Sequence, residues 1–330
     1  MSILDQDPFG PLCLCQSYLR ATEHAALKSA RWLGRDDQEG AEESAAEGMR
    51  QTLDVLPING RIVVGSLGEE IGLLPGTVVG AGGRDVDLAL DPLEGRGVVA
   101  RGGNGAMSMI VVGDSGKLTT LPNMYMRKLA VGATSRGAID LLRPVGENIE
   151  AIATAFGRRV NDVTTIVLDR PRHHDLIEEI RNSGARIKLI QDGDVTASIS
   201  AAIRGTNDHL AIGIGGTRQA ILSAAALRCL GGELQAQFWP TSRTEIDQLR
   251  ELGIDDYTRV YRTEDLAPGE IIVAATGVSN GDLLRGVRFL ADSARTHSLL
   301  MCTRCNWVRF VDGIHFFARE RREEVRLLGP

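Results

Sequence analysis

Asp91 and Glu94 stand three residues apart in the run Asp91-Pro92-Leu93-Glu94-Gly95. Before them, Leu88, Ala89 and Leu90 form a short apolar stretch that reads as the end of a buried strand. Proline cannot donate to a sheet ladder, so the strand is expected to stop at Pro92, with both acids projecting from a turn closed by Gly95. Two carboxylates at a strand end make a hard-oxygen site suited to Mg²⁺ or Mn²⁺, and through the ion to phosphate. The bland alternative is a turn bearing two solvated acids.

Other chemically suggestive residues carry less. Cys302 and Cys305 form a CxxC, but no second Cys/His pair lies nearby at zinc spacing. On a strand the two thiols would point to opposite faces. Cys13 and Cys15 read as thiols of an N-terminal arm. Gly80, Gly82 and Gly83 open no helix and make no dinucleotide fingerprint. The run from Arg319 to Glu324 mixes both signs of charge and reads as a solvated hairpin edge.

The elements that must position such a site follow from composition and pattern. The 330 residues are 43% hydrophobic but only 4% aromatic, with 38 glycines, which favours an α/β protein packed by Ala, Val, Ile and Leu. A formal charge of −6 argues against a nucleic-acid partner, so an anionic substrate needs local Arg residues or a metal. No apolar run is long enough to span a membrane, and no signal peptide is visible at the N-terminus. Five cysteines, an odd number, favour reduced thiols and a cytoplasmic location.

Residues 1–14 read as an extended arm. Helices are expected from Gln16 to Leu33 and from Glu42 to Leu53, the first stopped by Gly34. A short strand from Ile62 to Gly65 leads into a Gly-rich loop at 66–72, and Val78-Val79 and Ala106 to Val112 follow as strands. The second half alternates. A helix lies within Leu141 to Phe156; strands run from Val163 to Leu168, Ile187 to Ile190 and His209 to Ile214. Helices cover Asp175 to Ser183, the stretch through Ala202, and Gln219 to Leu230. This order implies a largely parallel sheet with its sites at strand C-termini. Strands return from Ser298 to Val311, Ile314 to Arg319 and Glu324 to Leu328, with turns at Asp312-Gly313 and near Arg322. Two closely packed subdomains are expected, 1–135 and 136–330.

Taken in order, several blocks resemble the class II fructose-1,6-bisphosphatases, some of which also act on sedoheptulose 1,7-bisphosphate. They are the Trp32-Leu33-Gly34-Arg35 helix end, Ile62 to Gly65, Val86 to Gly95, Met124 to Met126 with Lys128 to Gly132, Arg170 to His173, Asp192 to Asp194, Gly213 to Gly216 and Ala275 to Gly277. The resemblance covers nearly the whole chain. It implies an αβαβα sandwich of the lithium-sensitive, metal-dependent sugar phosphatase superfamily, a cofactor of Mg²⁺ or Mn²⁺, a metal-activated water attacking the 1-phosphate, and a homo-oligomer.

Carried over position by position, Glu42, Asp91, Glu94 and Gln219 stand at metal-ligand positions. Glu42 replaces an Asp, and Gln219 replaces the Glu of Gly-Gly-Ala-Pro-Glu-Gly. Ser66 replaces another ligand Glu. Glu70 and Arg96 stand at the catalytic positions that orient the attacking water, where the family has Asp and Thr. Three acidic ligand positions of five remain, enough for one hard cation rather than several. Arg96 can hold phosphate bidentately in a vacated metal position. The substrate side is fuller: Gly95, Arg96, Tyr125, Arg170, Arg172, His173, Asp192, Asp194 and Gly216 match positions that hold the sugar bisphosphate. Arg170 and Arg172 offer a fork for the distal phosphate, Asp192 and Asp194 accept from sugar hydroxyls, and Gly215-Gly216 exposes amides ahead of a helix. The expected function is a sugar-bisphosphate phosphatase with a remodelled metal site. The alternative is an impaired relative that binds a sugar phosphate as a sensor or pathway partner.

Overall fold

The computed structural model describes residues 14–65 and 72–317. Small side chains set up its first layer. Helix α1 (Cys15–Ser29) buries Ala21, Ala25 and Ala26 against Ala41, Ala45 and Ala46 of α2 (Gln38–Leu53). At Gly48 of α2 a Cβ would meet the His24 carbonyl oxygen at 2.8 Å, so the two backbones touch where only glycine fits. Helix α2 starts earlier than its apolar pattern indicates because the Asp37 carboxylate accepts the Gly40 N–H and caps it.

Both helices lie on one face of an eight-stranded sheet. Its strands are β1 (Ile58–Val64), β2 (Val78–Val79), β3 (Arg84–Glu94), β4 (Met107–Asp114), β11 (Ile271–Gly277), β12 (Arg288–Phe289), β13 (Ser293–Cys302) and β14 (Trp307–Phe316). The order is β12-β13-β11-β4-β3-β1-β2, with β14 also on β13. A second sheet holds β5 (Tyr125–Val131), β6 (Thr164–Leu168), β7 (Arg186–Ile190), β8 (Leu210–Gly216), β9 (Glu233–Phe238) and β10 (Tyr261–Arg262), in the order β10-β9-β5-β8-β6-β7. Helices α6 (Asp194–Ala202) and α7 (Thr217–Leu230) fill the space between the sheets, their Ala and Ile residues sharing one core with both. Helices α4 (Val145–Phe156) and α5 (His174–Asn182) cover the far face of the second sheet. Three cores thus join five layers, α, β, α, β and α, the middle core spanning both sheets and the helices between them.

The largely parallel sheet is not what forms. In the second sheet β6 pairs in parallel with β7 and β8, but β5 runs antiparallel to both β8 and β9. In the first, β1–β3 is the parallel pairing among the described strands, and the others are antiparallel. The β-α alternation of 163–230 is real, yet β5 enters from before it and splits the pattern. The chain crosses into the second sheet between Asp114 and Tyr125 and returns to the first by Ile271.

The terminal strands also differ from expectation. Asp312 and Gly313 lie inside β14, opposite His297 and Thr296, and the reversal falls at residues 303–306. Asn306 takes a φ of 49° there, a conformation that asparagine tolerates. The expected arm, the Gly-rich loop with Ser66 and Glu70, and the segment from Arg319 to Leu328 lie outside the described residues, apart from Leu14 and Gly72.

Candidate active site

Asp91 and Glu94 sit at the end of β3, a strand buried along all but its first two residues. The strand does not stop at Pro92. It passes through a bulge: Asp91 pairs with Met109 and Glu94 with Met107, so Pro92 and Leu93 together oppose one residue of β4. A bulge leaves a residue out of the ladder, which is where a proline without an N–H is tolerated. Both acids are therefore buried, at 2% and 4% exposure, rather than held on a solvated turn. Gly95 then turns the chain at a φ of 88°, and Arg96 opens the short helix α3 (Arg96–Ala100).

Burial is the first influence on both carboxyls. It pushes Asp91 upward against the opposing pull of Arg218, with Glu42 and Asp192 adding to the rise. Glu94 is pushed up to about 8, by burial first and then by Asp91. The Glu94 oxygens already have partners in α6: Oε1 accepts the Val195 N–H, and Oε2 accepts Thr196 N–H at 3.2 Å and Thr196 Oγ1–H at 2.9 Å. Glu94 thus caps a helix of the second sheet from a strand of the first.

The other acids carry cations of the protein itself. Glu42, in the second turn of α2, accepts from Arg96 Nη1 at 2.6 Å. Arg218, in the first turn of α7, brings Nη2 to 3.6 Å from Asp91 Oδ2 and donates from Nη1 to the Gly65 carbonyl. Asp91 Oδ2 is buried and accepts no hydrogen bond from any described residue. Gln219, beside Asp91, helps to hold its carboxyl down.

Across the cleft, Asp194 begins α6 and pairs with Lys128 of β5, which is only 5% exposed. A Cβ on Gly215 would fall 2.1 Å from Asp194 Oδ2 and 2.9 Å from Lys128 Nζ, so this pair requires glycine at 215. Arg172 donates to the Ile214 carbonyl from Nε and Nη2, and its guanidinium lies 5.1 Å from the centre of the Tyr125 ring. Arg170 donates to the Asp169 and Gln191 carbonyls. Backbone anchors pre-orient both guanidinium groups.

His173 is placed differently from a substrate contact. It is 1% exposed; Nδ1–H donates to the Leu168 carbonyl at 2.7 Å and Nε2 accepts the Ile214 N–H at 2.7 Å. Strands β6 and β8 pair only at Thr165 and Ile166, and the ring bridges the gap where they part. Gly213 admits it, since a Cβ there would meet the ring at 3.1 Å. Burial lowers the His173 pKa, which keeps the ring neutral, and its two backbone partners fix the tautomer.

Together these elements line a cleft of about 250 Å³ with Glu42, Asp91, Glu94, Gly95, Arg96 and Gln219 on one side. Tyr125, Arg170, Arg172, Asp192, Asp194 and Gly216 complete it. Arg218 and Lys128 are the site residues that sequence reasoning missed. The signal for Arg218 lies in the Gly-Gly-Ala-Pro-Glu-Gly motif, where it occupies the proline position next to Gln219. Glu42 and Asp91 offer oxygens of the kind a hard divalent ion takes, but each already faces a guanidinium, and among the described residues no three acids stand close enough together to hold an ion. The donor set does not fit a cluster of ions, because Arg96 and Arg218 already bring two positive charges.

A family model described as bacterial fructose-1,6-bisphosphatase, glpX-encoded, matches residues 13–315. A Synechococcus sp. (strain JA-3-3Ab) protein named D-fructose 1,6-bisphosphatase class 2/sedoheptulose 1,7-bisphosphatase is 40% identical, over 94% of this chain and 97% of its own. A protein of the same name from Microcystis aeruginosa is 37% identical, over 93% of this chain and 97% of its own.

Proposed function

The chain belongs to the bacterial fructose-1,6-bisphosphatase family, and we propose that it is a phosphoric monoester hydrolase acting on a ketose bisphosphate, fructose 1,6-bisphosphate or sedoheptulose 1,7-bisphosphate, at its 1-phosphate. The observation that carries this reading is the single cleft where Arg170 and Arg172 face Asp91 and Glu42. The five-layer packing supports the lithium-sensitive phosphatase superfamily as its fold.

In this reading Arg172 and Arg170 bind the distal phosphate, and Tyr125 packs against Arg172 to fix its plane. Asp192 and Asp194 accept from sugar hydroxyls, and Lys128 holds the orientation of Asp194. Arg96 faces the reacting phosphate from the start of α3. Glu42 and Asp91 hold one Mg²⁺ or Mn²⁺, with Glu94 and Gln219 at its margin. The ion supplies charge neutralisation at the phosphoryl oxygens and acidifies water. Glu94, raised to about 8, is protonated in part near neutrality and keeps the negative charge of the site down.

The test is phosphate release from the two bisphosphates with Mn²⁺ or Mg²⁺ and with a chelator. Metal-dependent turnover is expected, and a protein that binds neither substrate would overturn the reading. The ion pairs Arg96–Glu42 and Arg218–Asp91 favour a second reading, a non-hydrolytic sugar-phosphate binder. That reading predicts saturable, metal-independent binding without turnover, and turnover only after Ser66→Glu, Arg96→Thr and Gln219→Glu together.

A further inference from the structure

Cys15 meets the distant pair Cys302 and Cys305 outside the cleft. Cys15 is the first residue of α1, Cys302 the last of β13, and Cys305 lies in the turn to β14. Their sulfurs all lie within 4.8 Å of one another, with Cys15 Sγ and Cys305 Sγ 3.9 Å apart. The expectation that the CxxC thiols diverge fails because the motif straddles a turn, not a strand. No second Cys/His pair joins the motif; α1 instead brings the single Cys15 to it from the other end of the chain.

We propose that Cys15, Cys302 and Cys305 form a thiolate site for one Zn²⁺, tying the start of α1 to the β13–β14 hairpin. Zn–S bonds of about 2.3 Å in a tetrahedron place sulfurs roughly 3.8 Å apart, whereas a disulfide needs about 2.05 Å. The 3.9 Å separation matches the former. The surroundings favour thiolates. Cys15 sits at the positive end of a fifteen-residue helix. The Cys305 N–H points to Cys302 Sγ at 3.4 Å, and the Trp307 side chain hydrogen bonds to Cys305. Burial opposes thiolate formation at Cys305 without an ion, a cost that a coordinated dication removes. Soft sulfur donors select zinc over the hard ions of the cleft. Cys229 is a free thiol pushed up to about 12 by burial, with its sulfur 3.9 Å from the Ile271 carbonyl, and takes no part.

Cys15 is held in a disulfide in this structure, one that involves neither Cys302 nor Cys305, so loading follows its reduction. A dithiol reductant gives two electrons and two protons to that disulfide and leaves as its own disulfide. Zn²⁺ then displaces one proton from each of the three thiols to solvent. The last tetrahedral position falls to solvent.

The experiment uses the full chain, reduced with a dithiol, stripped of metal and titrated with Zn²⁺ against a chromogenic chelator. Wild type and Cys229→Ala are expected to bind one tight Zn²⁺ per chain, and Cys305→Ser to lose on the order of 100-fold in affinity. Co²⁺ in reduced wild type should give an intense near-ultraviolet thiolate charge-transfer band, weakened in Cys305→Ser and in oxidised protein. No stoichiometric zinc in the reduced wild type overturns the proposal. So does a Co²⁺ complex without that band, a reading that requires no variant to fold. Equal affinity in Cys305→Ser overturns it as well.

Discussion

The Arg218 guanidinium lies 3.6 Å from Asp91 Oδ2, a buried carboxylate oxygen that accepts no hydrogen bond from any described residue. An internal cation thus stands beside the most deeply placed acid of the cleft. The pair links α7 to the end of β3, and with it the helical layer to the first sheet.

Removing Arg218 leaves a buried charge uncompensated, which costs about 3–5 kcal/mol in comparable pairs. Arg218→Ala is therefore expected to lower the melting temperature in chelator and to regain much of it with Mn²⁺, which takes over the neutralisation. Equal melting temperatures with and without Mn²⁺ would count against a metal position at Asp91.

Arg96–Glu42 should behave differently. Its Arg side chain is 55% exposed, so water screens the pair and its worth to stability is at most about 1 kcal/mol. Arg96→Thr is expected to leave unfolding nearly unchanged while tightening Mn²⁺ binding several-fold through the released Glu42. Isothermal titration beside urea unfolding separates the two effects.

The Lys128–Asp194 pair is the more costly one to break. Asp194→Asn strands a Lys that is 5% exposed, and a loss of about 3–5 kcal/mol is expected. Lys128→Met with Asp194→Leu should lose clearly less than the sum of the single changes, because neither charge is then stranded. Gly215→Ala should break the same pair without touching either charge. Chemical unfolding of the five variants, with Lys128→Met and Asp194→Leu each measured alone, provides the comparison.

His173 sets a pH dependence. Its folded pKa lies below the ordinary 6.5, so below pH 6.5 the unfolded chain takes up a proton that the folded ring resists. Stability is unaffected above that value and falls as pH drops beneath it, by up to about 1.4 kcal/mol per pH unit for one proton. His173→Gln should show a shallower acid slope in urea unfolding, whatever its stability near neutrality. An unchanged slope would place the acid sensitivity elsewhere.

The sequence by itself determined the local elements and named many of the residues that line the cleft. Apolar periodicity marked most helices and strands, because each reports only which of its own faces is buried. The order of blocks such as Val86 to Gly95 and Arg170 to His173 placed nearly every cleft residue before any coordinate. Strand direction was left to tertiary structure: β5 pairs with β8 and β9 across long separations that no local pattern encodes. Pairings across the chain were equally invisible. Arg218 reads as an ordinary helix residue until α7 is packed beside β3, and Lys128 reads as a polar residue on a strand until Asp194 is brought over Gly215. Cys15 and Cys305 become neighbours only when α1 lies along the β13–β14 hairpin. In each case the sequence supplies the charge or the sulfur, and the layering of helices on sheets decides which group stands within a few ångströms of it.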